Sequence, residues 1–415
     1  MSEVNWRPGR RVAIAGGGPG GVSAALAFLK AGFDVKIFER KNNVEPIGGA
    51  VLLSIPVLMI LREYGVDLTR FTAGATMWFT NHKGKVRARL PASRDAEVAS
   101  GIERFSHGVL RSEVCRRMAD LLPAGVVHVN HGVAGYCETA TGVQALFEDQ
   151  EPVEADILIG ADGIRSKVAR QAFGDPNLFH LGIKVWLAHC GTPNGMNIPR
   201  DRALLSHSSR YQASHFPLIR HGEEGFEWWI VEKFPEGTSH PADPKAYVRN
   251  IVKDFDTPIR DLVEITDFST STFQWEIYNR SALQKWSKGR VACLGDAVHP
   301  VSPYAGYGLG MAVEDGYFIA RSLRGCDLRN AEAVRLAFNA FEDIRVNYVN
   351  THVAFAQKLG HMFHKVPAPL SYLRDFVFDR TSFLQKSLSQ GYTQDVLKET
   401  MDLRELHVVR VESLA

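Results

Sequence analysis

Val12–Ala15 (VAIA) is apolar at every position, the pattern of a short strand covered on both faces. After a glycine-dense stretch, Val22–Ala31 repeats apolar residues at helical spacing and closes on Gly32, and Val35–Phe38 returns to a strand. Strand, helix and strand in this order predict a βαβ unit. Ile157–Ile159 and Val291–Leu294 read as two more buried strands, and a helix is expected from about Leu309. The run Ala50–Leu61 (AVLLSIPVLMIL) is nearly continuous in apolar residues but too short to cross a bilayer, so it is expected in the core.

Between Arg170 and Trp286 the pattern changes to short aromatic strands at 211–220, 225–234 and 271–278. Residues 77–90 read as a hairpin around HKGK. Beyond about 330 the apolar steps are helical, and their expected main role is to cover the sheet. Residues past about 385 are expected as an appended helical arm or a dimer contact.

The chemistry starts at the glycines. Gly16, Gly18 and Gly21 fit G-x-G-x-x-G between a strand and a helix. Gly16 permits the tight turn, Gly18 leaves room for a pyrophosphate, and Gly21 lets helix and strand pack closely. The helix N-terminus offers unpaired N–H groups to the phosphates. Glu39, at the end of the second strand, suits the ribose hydroxyls. Arg40 and Lys41 would suit an NADP 2′-phosphate, which the acid before them would repel. This unit alone leaves NAD and FAD both open.

Two later segments narrow the choice. The strand at 157–159 ends in Gly160-Ala161-Asp162-Gly163, and the strand at 291–294 ends in Gly295-Asp296 before a Pro/Gly-rich loop and a helix built from Gly306, Gly308 and Gly310. With GxGxxG first, DG in mid-chain, GD with P-x-x-G-x-G after it, and Arg111 in a weaker R-x-x-L-like helix, the chain resembles the group A FAD-dependent aromatic hydroxylases of the p-hydroxybenzoate and salicylate hydroxylase type. The resemblance reaches to about residue 325.

It implies an α/β fold: a Rossmann-like FAD-binding domain (1–75, 101–175 and 288–328), an interleaved, mostly antiparallel β-sheet substrate domain (76–100 and 176–287), and a C-terminal helical region (329–415). Gly16, Gly18, Gly20 and Gly21 would cradle the FAD pyrophosphate, with Glu39 and Arg40 at the adenosine end. Ala50 and Val51 would pass the isoalloxazine, Arg111 would reach the pyrophosphate and ribityl region, Asp296 a ribityl hydroxyl, and Asp162 would brace the DG turn. Gly308, Leu309 and Gly310 would aim a helix N-terminus at the flavin, favouring negative charge on its reduced ring. Pro303 would act through its main chain beside the flavin, and His299 would be structural. Tyr307 stands where relatives commonly carry Gln, and Leu309-Gly310 where many carry Met-Asn; the tyrosine would alter flavin movement or substrate stacking.

Candidate substrate contacts are Tyr211, Trp228 or Trp229, Gln274 and Tyr304. Adjacent tryptophans on a strand face opposite ways, so only one can reach the cavity. His215 is the candidate base for a phenol or anchor for a carboxylate. Core packing is the plain alternative for each.

The implied reaction is hydroxylation of a small, aromatic or heteroaromatic substrate with NADH or NADPH and O2, through a flavin C4a-hydroperoxide. The same fold also serves epoxidases, Baeyer–Villiger-like oxygenases, halogenases and isoprenoid reductases, though no W-x-W-x-I-P halogenase segment occurs. A flavin-binding protein without turnover is a further alternative.

Composition sets outer bounds. A formal net charge of +2 over 415 residues gives no basic footprint for nucleic acid. Five scattered cysteines without a CxxC pair argue for reduced thiols in a cytoplasmic compartment and against a metal site. The polar N-terminus does not read as a signal peptide, and no membrane span is expected. A monomer or homodimer is expected.

Overall fold

The computed structural model describes residues 5–44, 48–90, 93–104, 106–175, 177–302, 306–367, 369–389 and 392–405. The opening pattern builds a six-stranded sheet in the order Ser287–Lys288, Val291–Cys293, Ile157–Gly160, Arg11–Ala15, Asp34–Glu39, Val127–Val129. Arg11–Ala15 runs parallel to both neighbours, and Ile157–Gly160 runs parallel to Val291–Cys293. Parallel strands covered on both faces explain the unbroken apolar runs. The parallel arrangement also delivers the GxGxxG, DG and GD turns to one edge of the sheet, where α/β folds bind ligands.

The first helix is Pro19–Lys30, three residues earlier than expected, because Pro19 stands in its first turn with a φ already suited to a helix. Gly20 through Phe28 are buried, several against the helix Gly308–Leu323. Ala50–Leu61 is in the core as expected, but as two elements. The strand Ala50–Ser54 gives way to the helix Ile55–Tyr64 at Ser54, with Pro56 in the first turn.

A nine-stranded sheet stands beside the first, in the order Thr272–Asn279, Phe179–Cys190, Glu223–Lys233, Gln212–Arg220, Arg202–His207, Ala73–Asn81, Ser106–Leu110, Ala50–Ser54, with Val86–Arg89 on Ala73–Asn81. The expected hairpin is the Ala73–Asn81/Val86–Arg89 pair. Pairing is antiparallel except between Arg202–His207 and Ala73–Asn81, which run parallel. Its last two strands come from segments that the sequence places on the dinucleotide side, so the two regions are stitched together by backbone hydrogen bonds.

Alternation assigns each sheet residue a face. One face carries Trp186, Phe226, Trp228 and Ile230, and packs on the helices Pro244–Val252 and Ile259–Ile265. The other carries Phe79, Leu205 and Phe216, and meets Leu359, Phe363, Phe378 and Leu384 of the C-terminal helices. The final helix, Tyr392–Glu405, is no appended arm. It packs on Ile55–Tyr64 and on the helix Arg94–Ser100, and the Arg321 guanidinium donates to Asp402 at 3.0 Å.

Candidate active site

The glycine turn and its two partner loops are in direct contact. Gly16 has φ +101°, and a Cβ there would lie 2.5 Å from the Ala161 carbonyl of the DG turn. A Cβ on Gly21 would lie 2.0 Å from the Gly16 carbonyl, and one on Gly20 would press on Leu294 and on Ala312. These three glycines are demanded by the protein's own packing. Gly18 differs: among the described residues nothing lies within 4 Å of its Cβ position, and its backbone is extended at the N-cap of the helix. No intramolecular contact accounts for a glycine there, whereas a pyrophosphate approaching the helix N-terminus does.

Glu39 is buried at the end of its strand. Its carboxylate accepts hydrogen bonds from Gly17 N–H at 2.7 Å and Lys41 N–H at 2.9 Å. Arg40 beside it is exposed. Asp162 caps the helix Lys167–Phe173, accepting from Lys167 N–H at 2.8 Å and from the Ser166 hydroxyl. This fits the bracing role expected for it. Burial raises its carboxyl, opposed by those hydrogen bonds.

Asp296 lies in the turn Gly295–Ala297, whose carbonyls at Asp296 and Ala297 accept hydrogen bonds from the buried Arg280 guanidinium. Its side chain is open to water, with dense protein around it. The resulting desolvation raises its carboxyl, opposed by His299, Arg111 and Arg280. The electrostatic influence of Arg111 brings the helix Arg111–Ala119 to the same cleft. Arg111 Nε is buried without a hydrogen-bond partner, and Arg111 N–H donates to the Gly49 carbonyl at 3.2 Å. A buried guanidinium nitrogen without a partner is costly and marks a place for an acceptor from a bound group. The helix Gly308–Leu323 starts beside this turn, and its cap residue Tyr307 supplies no side-chain acceptor to the first N–H groups. Among the described residues no side chain caps that end, which leaves its donors and positive polarity available to a ligand.

Tyr307 itself is buried. Its hydroxyl bridges Ser54 Oγ, at 2.6 Å, and the Glu314 carboxylate, so its ring is committed to the core and does not stack on a substrate. Glu314 belongs to a buried cluster that the sequence did not reveal. Arg345 donates to Asp315 at 2.9 Å, to Glu314 at 2.8 Å and to Glu399 at 2.7 Å. Asp315 also accepts from Gly295 N–H at 3.0 Å and contacts His299 Nε2 at 2.5 Å. His299 is thus structural, as the resemblance implied: it ties the GD turn to the cluster.

The strap at Gly48–Val51 crosses the same face of the large sheet that carries Trp229. Ala50 N–H donates to Glu227 Oε1 at 2.9 Å, and Cβ positions on Gly48 and Gly49 abut Trp275, Arg111, Glu227 and Leu187. Ala50 and Val51 are therefore brought to the cleft with Arg111 and Asp296. Glu227 escaped the sequence reading, although an acid in register with Trp229 and Val231 inside GFEWWIVEKF was a visible break in an apolar face.

Most of the expected substrate residues point the other way. His215 pairs with Trp228, is 1% exposed, and packs edge-on to Phe226 in the core beneath the helices. Burial lowers it to about 4, so it stays neutral and cannot reach the cleft as a base. Trp228 shares that face and donates to Thr266 at 2.8 Å. Tyr211 packs against the same core, and Gln274 pairs with Trp186 on that side. The error is one of parity: a strand position read one residue off exchanges the two faces. Trp229 lies on the cleft side, stacked obliquely on Phe216. Pro303 and Tyr304 lie outside the described residues.

A cavity of about 520 Å3 opens on this cleft-side face, lined by Phe179, Ile183, Lys233, Ser302, His361 and His364 among others. Ser302 places it directly after the GD turn. Lys233, His361 and Lys365 stand exposed at its rim.

Comparison with known proteins agrees with this geometry. The family model described as FAD binding domain matches residues 10–336. The chain is 28% identical over 372 residues to a 3-amino-4-hydroxybenzoate 2-monooxygenase of Streptomyces platensis, covering 88% of this chain and 91% of that one. It is 28% identical over 342 residues to the 6-hydroxynicotinate 3-monooxygenase of Bordetella bronchiseptica, covering 81% and 87%. In fold it is similar to Klebsiella pneumoniae HpxO complexed with FAD and uric acid, with a TM-score of 0.78 at 23% identity, covering 96% and 98%. A family match across residues 10–336, on the loops that converge in the structure, shows that the chain belongs to the FAD binding domain family, as a group A FAD-dependent hydroxylase.

Proposed function

We propose that this FAD-dependent monooxygenase hydroxylates a small aromatic or heteroaromatic substrate held in the cavity beside Ser302. The observation that carries the reading is the convergence of Gly18, Glu39, Arg111 and Asp296 with the uncapped N-terminus of Gly308–Leu323 around one cleft. Gly18 would leave the pyrophosphate its room, with Gly16, Gly20 and Gly21 holding the turn in shape, and Arg111 would pair its Nε with it. Glu39, with Arg40 outside it, would hold the adenosine ribose, and Asp296 the ribityl chain. Ala50, Val51, Gly308, Leu309 and Gly310 would present backbone to the ring.

Bound FAD, reduced by NADH or NADPH, supplies the activation of O2 that places one oxygen atom on the substrate. The chain's own tasks are orientation and exclusion of water, because a dry, fixed geometry decides whether oxygen reaches the ring or is lost as H2O2. Trp229, Phe216 and Ile183 make the cleft-side face apolar, and Lys233 and Lys365 at the rim favour substrates that carry negative charge. The two described relatives act on a hydroxylated aromatic acid and a hydroxylated pyridine acid, which fits that rim.

The division would run at 75/76, 100/101, 175/176, 287/288 and 328/329, with the Ala50–Ser54 and Ser106–Leu110 strands as the seam and the first and fourth boundaries falling inside the strands Ala73–Asn81 and Ser287–Lys288. No described helix is long and apolar enough to cross a membrane, and the five cysteines are all unpaired. With those thiols, the reading includes a reducing, cytoplasmic site of action, as a monomer or homodimer.

The test is a screen of small phenols, aromatic acids and N-heterocycles with FAD-loaded protein. A substrate should accelerate NAD(P)H oxidation and gain 16 Da with oxygen derived from O2. Acceleration with H2O2 as the sole oxygen product for every compound would reject hydroxylation.

A further inference from the structure

Glu227 has no part in the reaction described above, yet it is buried against the strap expected to pass the isoalloxazine. It is 0% exposed. Oε1 accepts the Ala50 N–H, while Oε2 is buried without a hydrogen-bond partner. A Cβ on Gly49 would come within 2.0 Å of Oε1, so the strap backbone rests directly on the carboxyl.

Among the described residues, no cation forms an ion pair with this carboxyl. Across the sheet, Glu227 is in register with His189 on one side and Phe216 on the other. Leu187 is packed beneath the strap, and Trp275 and Arg111 lie by Gly48, at its far end. His189 is lowered to about 4 by burial, with Arg220 and His221 adding to the effect. The Cys190 thiol is pushed up to about 12, mainly by burial. Both are neutral at physiological pH. Burial, offset only by the Ala50 hydrogen bond, pushes the Glu227 carboxyl up to about 8. At pH 7 the group is therefore a neutral acid, and Oε2 is where its proton can reside.

We propose that Glu227 is a positioning residue for the flavin: as the neutral acid it clamps the Gly48–Val51 strap through Ala50, and its ionisation releases the clamp. The proposal rests on the FAD reading above. A buried carboxylate needs several donors, and among the described residues only the Ala50 N–H donates to it. Ionisation strengthens that one hydrogen bond, but burial is the larger effect. Water can reach the charge only if the Gly49 backbone lifts away from it. Lifting the strap disturbs the backbone at Ala50 and Val51, so FAD should bind more weakly to the ionised form. By linkage, bound FAD should in turn hold the proton on Glu227.

The experiment measures FAD binding to apoprotein by fluorescence quenching, and the visible spectrum of the bound flavin, from pH 6 to 9.5 without substrate or NAD(P)H. Wild type should lose about tenfold in FAD affinity between pH 7 and 9, with a matching shift of the flavin bands. Glu227→Gln, which keeps the acceptor for Ala50 but cannot ionise, should hold its pH 7 affinity and spectrum across the range. Glu227→Ala should bind weakly at every pH. A flat wild-type profile overturns the proposal without any variant, and so does the same transition persisting in Glu227→Gln. Failure of wild type to bind FAD at any pH would instead overturn the cofactor reading, and this proposal with it.

Discussion

Two groups of buried acids flank the cleft, and they are built on opposite plans. Behind the GD turn, Glu314, Asp315 and Glu399 share the Arg345 guanidinium, and Asp315 also takes His299 and the Gly295 N–H. Under the strap, Glu227 has one backbone N–H and a second oxygen with no partner. In the first arrangement a shared cation and several hydrogen bonds serve the carboxyls, although burial still raises Glu314 to about 8 and Glu399 Oε2 has no partner among the described residues. The second has no described cation bound to it at all. The paired cluster joins the helices Gly308–Leu323, Ala331–Gly360 and Tyr392–Glu405 to the loop that holds Asp296, and so fixes a shape. The lone acid stays buried by keeping its proton, which makes it sensitive to pH near neutrality. A shared cation ties several elements together, whereas an acid without one is held by its proton and a single backbone hydrogen bond.

The largest expected effect is on the paired side. Arg345→Met removes the cation from three buried carboxyls and should cost about 3–5 kcal/mol of stability in denaturant unfolding. Loss of less than about 1 kcal/mol would mean that the cluster is not held by its pairing.

A second effect, spread over several pH units, belongs to Glu227. Its carboxyl is raised from an ordinary 4.5 to about 8 on folding. Between those values the folded chain keeps a proton that the unfolded chain has lost, so this group makes stability fall as pH rises, and the loss levels off above about 8. Glu227→Gln lacks that slope. Its stability relative to wild type should rise by at most about 1.4 kcal/mol per pH unit through the window. Equal slopes would show that Glu227 ionises freely and that the two regions do not differ as described.

The smallest effect is expected at His215, a neutral ring on the far face of the sheet. His215→Phe should leave kcat/KM within about 0.5 kcal/mol of wild type and leave the acidic limb of the pH profile unchanged. A large fall in kcat alone would return this residue to the mechanism.

The contrast also explains what was legible in the chain. Parallel strands covered on both faces announce themselves as apolar runs, and the turns after Val12–Ala15, Ile157–Gly160 and Val291–Cys293 carry residue types dictated by backbone geometry and ligand chemistry. These are local signals, so the cofactor cleft could be read before any coordinates. The substrate side depends on the parity of antiparallel strands, where a shift of one residue exchanges faces. His215 and Gln274 were misplaced for that reason, while of the two adjacent tryptophans it is Trp229 that shares the cleft side with Glu227. The Arg345 cluster was hidden by distance, since its members come from positions 299 to 399 and none has a neighbour in sequence that reveals its partner.

Gly18 offers the most direct test of the central claim, that this edge of the sheet is a cradle for FAD. A Cβ there meets no atom of the described residues within 4 Å, and φ is −71° with ψ 179°, a conformation open to any residue. Gly18→Val should leave the unfolding of the apoprotein within about 1 kcal/mol of wild type, yet lower FAD affinity at least a hundredfold, or about 2.7 kcal/mol. A folded Gly18→Val protein that binds FAD as wild type does would contradict the account.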